Sequence, residues 1–205
     1  MNPLADLWDW RRRIADLYSA IRTAPDPAAA WRQWREVREE LFRMHPQSPF
    51  DAADRASYKG IPCFPYDPAL RFHVRLDPIA DAADDEAVAG EDGIVRMRPF
   101  ARTDGLFAAL GGELTLYWII GYGGGAFLPF ADATNGGDTY HAGRYLLDTI
   151  KGVDLGTDAG GRVVLDFNFS YPPSCAYSQR WVCPLPPATN RLPRAVRAGE
   201  RSAAA

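Results

Sequence analysis

The chain has 205 residues, of which 47% are hydrophobic and 24% are charged, a composition that fits one globular domain and excludes a disordered chain. Its 18 glycines and 17 prolines favour a turn-rich fold of strands over a helical bundle. The 23 basic and 26 acidic residues give a net charge of −3, so we expect no nucleic-acid partner.

Three features bear on the cellular compartment. The first thirteen residues lack the apolar core of a secretory signal. The longest charge-free stretch, 114–131, has the length of a membrane span, but its glycines and Pro129 predict a turn between two buried strands. An odd number of cysteines argues against a secreted disulfide framework. We therefore expect a soluble cytoplasmic protein with no membrane partner.

The N-terminal region predicts a helical hairpin over residues 1–45. Apolar residues recur at helical spacing over 4–23, and a second amphipathic helix begins at Asp26-Pro27, where Asp26 provides an N-cap. Its apolar stripe runs from Trp31 to Phe42, and His45-Pro46 ends it. We expect this hairpin to pack onto a sheet.

From residue 50 to residue 200 the pattern changes to alternation, which predicts mainly β structure. Gly111-Gly112 predicts a tight hairpin, and Pro129 places its strand at an edge or a bulge. The predicted fold is one α+β domain over 1–201 with a frayed tail at 202–205. Its helical hairpin packs on a twisted antiparallel sheet that either closes into a barrel or forms a sandwich. The predicted strands are 72–76, 94–98, 106–110, 113–120, 127–130, 140–147, 163–169 and 192–197.

An acidic segment, residues 80–92, separates two arginine-bearing strands. One interpretation is a mobile loop whose acids, including Asp81, Glu91 and Asp92, partly balance those arginines. The alternative is an arginine-lined sheet face that binds an anion. Asp132 begins a second oxygen-rich segment, but its spacing lacks the bidentate Glu of a calcium loop, so we expect its side chains to cap their own turn.

The sequence Asp166-Phe167-Asn168-Phe169 predicts a strand with polar residues on one face and phenylalanines on the other. A buried row of polar side chains requires partners, and Arg144 is the obvious one. A buried Arg144–Asp166 pair that joins two strands is one interpretation. A site wall made from Arg144, Asp166 and Asn168 is the functional alternative.

Two prolines precede Cys175, and Cys183 opens a proline-rich turn. The spacing of these two cysteines, and that of the three histidines, does not fit a zinc site, so we expect no metal. We expect both to be small, buried and unreactive thiols. A disulfide between them, or a reactive Cys175, is the alternative.

Several short motifs stand in the second half of the chain: Asp132-x-Thr134, Thr139-Tyr140-x-x-Gly143-Arg144-Tyr145-Leu146, Leu165-Asp166-Phe167-Asn168, Pro173-x-Cys175-Ala176-Tyr177, Cys183-Pro184-Leu185-Pro186-Pro187-x-x-Asn190-x-Leu192 and Ala198-Gly199-Glu200. Together they resemble a bacterial and archaeal family of about this length that is known as a domain of unknown function. The resemblance covers nearly the whole chain, implies no reaction, and adds Asp132, Thr139 and Asn190 to the candidate site.

The leading functional hypothesis is a site for a small polar or anionic molecule, in an enzyme or a binding protein. The alternative is a structural or partner-binding module whose motifs only stabilise the fold. The sequence specifies neither a cofactor nor an oligomeric state. The catalytic candidates are Asp166 and Cys175. The ligand-binding candidates are Asp132, Thr139, Tyr140, Arg144, Asp166, Asn168 and Asn190.

Overall fold

The computed structural model describes residues 2–80, 82–88 and 94–202. The predicted hairpin is confirmed: α1 spans Pro3–Thr23 and α2 spans Pro27–Met44. Each helix is capped by the residue before it, because the side chains of Asn2 and Asp26 accept hydrogen bonds from Leu4 N and Ala28 N. A short helix α3, Ala52–Ala56, follows. Within the described residues, no helix is long and apolar enough to cross a membrane.

The second layer is an antiparallel sheet of seven strands: β1 (Arg71–Pro78), β2 (Asp85–Val88), β3 (Ile94–Asp104), β4 (Thr115–Ile119), β5 (Gly125–Phe130), β6 (Arg144–Asp148) and β7 (Val163–Asp166). Their order in the sheet is β6-β5-β4-β3-β1-β7, with β2 paired to β3. Two backbone hydrogen bonds between Tyr145 in β6 and Tyr171 beyond β7 nearly close the sheet into a barrel. The predicted α+β class is therefore confirmed, in its barrel form.

The barrel wall separates two apolar cores. One fills the barrel and contains residues such as Leu128, Phe130 and Phe167. The other lies between the outer face of the sheet and the helical hairpin, with Trp34 and Phe169 at its centre. Alternating strand residues point to the two cores in turn, as Val164 and Leu165 do.

Two predicted strands are wrong. Residues 107–110 form helix α4 (Phe107–Leu110), because the Glu113 carboxylate accepts hydrogen bonds from the N–H groups that precede and begin it. Gly111, with φ of 78°, ends that helix instead of forming a hairpin turn. Residues 192–197 are irregular: Leu192 and Val196 are buried like strand residues, but Val196 N donates to the Asp132 side chain and not to a ladder.

The acidic segment contains β2, a strand that the sequence did not predict. Asp84 precedes it and pairs with Arg98 at 2.7 Å, so part of the predicted balance between acids and arginines is observed. Asp81, Glu91 and Asp92 lie outside the described residues. Pro129 lies at a bulge, where the β5–β6 register shifts, as predicted.

The turn at Ala198-Gly199-Glu200 yields a stability prediction. Gly199 has φ of 74°, and a Cβ there would lie 2.2 Å from Ser170 Oγ and 2.4 Å from Ser170 O. Gly161 has a similar φ of 75°, but a Cβ added there would meet nothing within 4 Å. We expect Gly199→Ala to lower the free energy of unfolding by more than about 3 kcal/mol and Gly161→Ala by about 1–2 kcal/mol. Denaturant unfolding measures both, and equal losses would contradict the described packing.

Candidate functional site

Arg144 and Asp166 do not pair with each other, which corrects the predicted contact. Arg144 is fully buried and its Nη2 donates to Asp132 Oδ2 and Val196 O, both at 2.8 Å, while Nη1 donates to Ala198 O. Of the three guanidinium nitrogens of Arg144, only Nε has no hydrogen-bond acceptor among the described residues. Arg144 pairs with Asp132 and not with Asp166 because of the strand order. Arg144 begins β6, which lies beside β5, and β5 leads into Asp132, whereas Asp166 ends β7, which lies beside β1.

Asp166 pairs instead with Arg71, its register partner on β1, through a 3.0 Å contact to Oδ2. Strand β7 ends at Asp166, whose Oδ1 accepts from the backbone N–H of Asn168 and so begins a 3₁₀ turn over Phe167–Phe169. The predicted alternation fails there: Phe167 enters the barrel core and Phe169 the helix-facing core.

The side chains of Asn168 and Asn190 each hydrogen-bond to the backbone of distant segments and so join them. The Asn168 side chain exchanges two hydrogen bonds with the backbone of Asp67, at 2.8 and 2.9 Å. The Asn190 side chain bonds Thr115 N, Thr115 O and Pro129 O, each at 2.8 Å, so it bridges β4 and β5 as a third backbone would. Both asparagines are fully buried.

The oxygen-rich segment caps its own turn, as predicted. Asp132 Oδ1 accepts from Thr134 N and Thr134 Oγ1, at 2.8 and 2.7 Å. Thr139 Oγ1 lies 2.8 Å from Thr134 Oγ1 and is also buried. Protein groups therefore already bond most of the predicted site residues. Their role toward a ligand stays a prediction, and the geometry assigns them a structural one.

A cavity of about 490 Å³ lies elsewhere, between the helical hairpin and the outer face of the barrel. This volume is in the range of small-molecule sites. Apolar and aromatic side chains supply most of its walls, among them Trp10 and Ile14 from α1, Phe127 from β5 and Tyr145 from β6. None of the predicted ligand-binding residues lines it, whereas Cys183 does.

Arg38 is the buried cation of this cavity. It lies on the inner face of α2, and its Nε donates to Glu200 Oε1 at 2.6 Å. Its guanidinium lies over the rings of Trp34, Phe42 and Tyr171, with distances of 4.7–5.0 Å to the centroids. Burial alone would lower the pKa of Arg38, but Glu200 raises it above the ordinary value, so Arg38 stays charged. Among the described residues, no acceptor takes a hydrogen bond from its two Nη atoms.

Tyr171 carries a hydroxyl without a partner. Its side chain is buried and lines the cavity, and no described protein group lies within hydrogen-bond distance of Oη. Burial holds its pKa well above the usual range, so Tyr171 is a neutral donor at neutral pH. The hydroxyl groups of two neighbouring tyrosines do have partners, since Tyr145 Oη donates to Pro184 O and Tyr177 Oη donates to Glu200.

The rim of the cavity carries two further cations. Lys151 pairs with Asp148 at 2.8 Å, and about half of its side chain is exposed. Arg11 is exposed on α1 and makes no ion pair within the described part of the chain. The charged side chains that line the cavity are thus Arg11, Arg38, Lys151 and Asp148.

The comparisons with known proteins fit this fold. The model of the family described as "Protein of unknown function (DUF1684)" matches residues 56–201, more than half of the chain. The chain belongs to this family. It is also similar to the uncharacterised protein of Haloarcula marismortui locus rrnAC0354, whose solution NMR structure matches with a TM-score of 0.56 and 30% identity over 83% of this chain and 91% of that one. No curated protein matches.

The DUF1684 match begins after the helical hairpin. Tyr171 and Glu200 therefore lie inside the matched range, whereas Arg38 lies outside it. Sequence reasoning missed Arg38 as a site residue, although its spacing of four from Trp34 and from Phe42 places it on the apolar stripe of α2. A charged residue on a buried stripe is the signal that could have found it. Tyr171 carries no such signal.

The Arg144 clamp can be tested with Arg144→Lys. A lysine keeps the charge but cannot reach all three acceptors, and burial penalises its ammonium group. We expect the free energy of unfolding to fall by about 1–3 kcal/mol. Arg197→Lys is the control. The Arg197 side chain is 71% exposed and lies 4.0 Å from Asp138, so this variant should unfold with the same free energy as the parent protein. Equal stability of the parent and both variants would exclude a clamp.

The two tyrosines of the cavity offer a matched pair of substitutions. Tyr171→Phe removes a hydroxyl that makes no protein hydrogen bond, so the ligand-free protein should be as stable as the parent or more stable. Tyr177→Phe removes the donor to the buried Glu200 carboxylate and should lower the free energy of unfolding by about 1–3 kcal/mol. Thermal or urea unfolding measures both effects. An equal loss of stability in Tyr171→Phe and Tyr177→Phe would show that the Tyr171 hydroxyl does bond to a protein group.

Proposed function

We propose that this protein binds a small anionic molecule with an apolar body, such as a carboxylate, in the cavity between the helical hairpin and the barrel. The proposal rests on the unpartnered hydroxyl of Tyr171, whose ring packs against the Arg38 guanidinium at a cavity wall. Buried polar groups are normally hydrogen-bonded, and leaving one unpaired costs about 1–3 kcal/mol. A ligand oxygen that accepts from both groups would satisfy them.

The donors of the cavity select an acceptor of negative charge. The Tyr171 hydroxyl is a buried donor without an acceptor, Arg38 is a cation in the wall, and Arg11 adds a cation at the rim. Asp148 and Glu200 are already paired with Lys151 and Arg38, respectively, so among these five charged groups the positive charge of Arg11 is in excess. Charge-assisted hydrogen bonds from a guanidinium to a carboxylate are among the stronger polar contacts in proteins.

The walls select an apolar body. Trp10, Ile14, Phe127 and Val153 supply hydrocarbon and aromatic surface on several sides of the cavity. Burial of apolar ligand surface is worth roughly 25 cal/mol per Å² before the costs of association, so an alkyl or aromatic group would gain affinity there. A small ion without an apolar group would leave these apolar walls in contact with water.

The proposed setting is the cytoplasm. The three cysteines are free thiols in the structure, a state that a reducing compartment maintains. The proposal includes neither a nucleic-acid nor a membrane partner, because the net charge of −3 supplies no overall attraction to phosphate-rich surfaces.

Calorimetric titration with octanoate and with 1-octanol, which share a chain length, tests the proposal. The alcohol keeps the apolar body and lacks the charge. We expect octanoate to bind at least about tenfold more tightly, since an ionised acceptor at Arg38 and Tyr171 is worth about 1.5–3 kcal/mol. Tyr171→Phe, which keeps the fold, should weaken octanoate binding by roughly fivefold to tenfold and octanol binding by less, because a neutral hydroxyl is a weaker acceptor than a carboxylate.

Two further variants complete the design. Arg38→Met combined with Glu200→Gln removes the ion pair without leaving a buried charge, and it should abolish the preference for octanoate. Arg144→Lys, which alters the barrel interior only, should keep that preference. Equal affinity of parent protein for the two ligands, or no binding of either, would refute the proposed function.

A further inference from the structure

The lining residues that solvent reaches mark the opening of the cavity. Arg38 and Tyr171 lie in its buried part, where they are 6% and 8% exposed. A ligand whose carboxylate reaches these two residues therefore extends its other end toward the exposed rim. Within the described part of the chain, the exposed lining residues are Arg11 of α1, Ile150, Lys151 and Val182.

Two segments of the chain meet at this rim. Four residues of α1 line the cavity at the spacing of one helix face: Leu7, Trp10, Arg11 and Ile14. The turn that carries Lys151 packs against the same helix, since a Cβ on Gly152 would lie 2.9 Å from Ala15 Cα. Arg11 precedes Ala15 by about one helical turn, so the helix and the turn bound the rim together.

The rim carries an excess of positive charge. Arg11 makes no ion pair within the described ranges, whereas its neighbour Arg12 pairs with Asp9. Lys151 Nζ lies 2.8 Å from Asp148 Oδ2, and this carboxylate belongs to a buried side chain that also lines the cavity. Arg11 and Lys151 are thus opposed by one acid of the described lining, which leaves one positive charge.

The buried part and the rim differ in how their cations are balanced. In the buried part, Glu200 neutralises Arg38 through a 2.6 Å hydrogen bond. This part therefore offers hydrogen-bond donors without net charge, whereas the rim offers net charge at Arg11. A ligand with one carboxylate, bound at Arg38 and Tyr171, would leave the rim charge unopposed. A second anionic group at the other end of the ligand would oppose it.

The rim charges come from Arg11 and Lys151 and not from the predicted site. Tyr140 and Cys175 lie outside the lining, where Tyr140 Oη donates a hydrogen bond to Cys175 Sγ at 3.6 Å. Cys183 lines the cavity. Both Cys175 and Cys183 are half-buried, which corrects the expectation that they are buried.

We propose that the ligand of this cavity is a linear dianion, an α,ω-dicarboxylate, whose second carboxylate lies at the rim beside Arg11 and Lys151. This inference rests on the proposed function, because it takes the first carboxylate to be at Arg38 and Tyr171. The hydrocarbon between the carboxylates lies against the apolar walls. Guanidinium and ammonium groups both bind carboxylates through charge-assisted hydrogen bonds. Because the rim is open to water, this second contact is weaker than the buried one.

Calorimetric titration tests the inference with dicarboxylates of three lengths: octanedioate, decanedioate and dodecanedioate. Each is compared with its monomethyl ester, which keeps the chain and one carboxylate but lacks the second charge. We expect the best-fitting dicarboxylate to bind roughly fivefold to tenfold more tightly than its ester, of which about twofold reflects its two equivalent ends. Added NaCl should reduce this ratio, since salt screens exposed charges.

Substitutions at the rim separate its charge from the effect of two equivalent ends. Arg11→Gln should lower the ratio of affinities to about twofold, because it removes the unopposed cation. Lys151→Gln should lower the ratio as well. Arg12→Gln is the matched control on the same helix and should keep the ratio, since Arg12 lies outside the lining.

Thermal midpoints of all variants are compared with that of the parent protein before titration. If the esters bind but no dicarboxylate exceeds the twofold ratio, or if Arg11→Gln leaves a larger ratio unchanged, this inference is overturned and the proposed function stands. If octanoate, the esters and the dicarboxylates all fail to bind, the proposed function fails and this inference fails with it.

Discussion

A buried ion pair between Arg38 and Glu200 joins the two ends of this fold. Arg38 belongs to α2 and Glu200 to the last described turn, so the pair ties the helical hairpin to the chain that closes the barrel. A buried pair compensates for the loss of hydration only when its remaining donors and acceptors are also satisfied. Here Tyr177 donates to Glu200 and three aromatic rings pack against the guanidinium, whereas the Nη atoms of Arg38 have no acceptor among the described residues.

The barrel wall separates two sets of buried polar groups. On its inner side, Arg144, Asp132 and Asn190 hydrogen-bond to backbone groups of neighbouring segments, and of the Arg144 nitrogens only Nε has no acceptor among the described residues. On its outer side, the Tyr171 hydroxyl has no partner among the described protein groups, and the hydrogen bond from Arg38 to Glu200 uses Nε. The inner groups lie against a packed apolar core, whereas Tyr171 and Arg38 line a cavity. We therefore place the proposed ligand at the outer set, where an acceptor has room to enter.

The elements that could be predicted from the sequence are those set by local forces. The helices follow from the spacing of apolar residues and from caps such as Asp26, which act within one turn. The turn at Asp132 was also predictable, because its hydrogen bonds join residues a few positions apart. The resemblance to a family known as a domain of unknown function is confirmed by the match to DUF1684.

The failures concern partners that only the complete topology brings together. Arg144 was paired with the wrong acid, because strand order places Asp166 beside Arg71. A local hydrogen bond from Asn168 N to Asp166 ends the strand one residue before Phe167, and period-two alternation contains no sign of that. The cavity is built from helices, strands and loops far apart in the chain, so no spacing rule could have found it.

We place the ligand site outside the barrel, at Arg38 and Tyr171, and not at the polar cluster inside it. A crystal structure of the protein soaked with octanoate distinguishes these two locations. We expect carboxylate density within hydrogen-bond distance of Arg38 Nη and Tyr171 Oη, with the alkyl chain against Trp10 and Phe127. Carboxylate density beside Arg144 and Asp132, with no ligand in the cavity, would refute the proposed site.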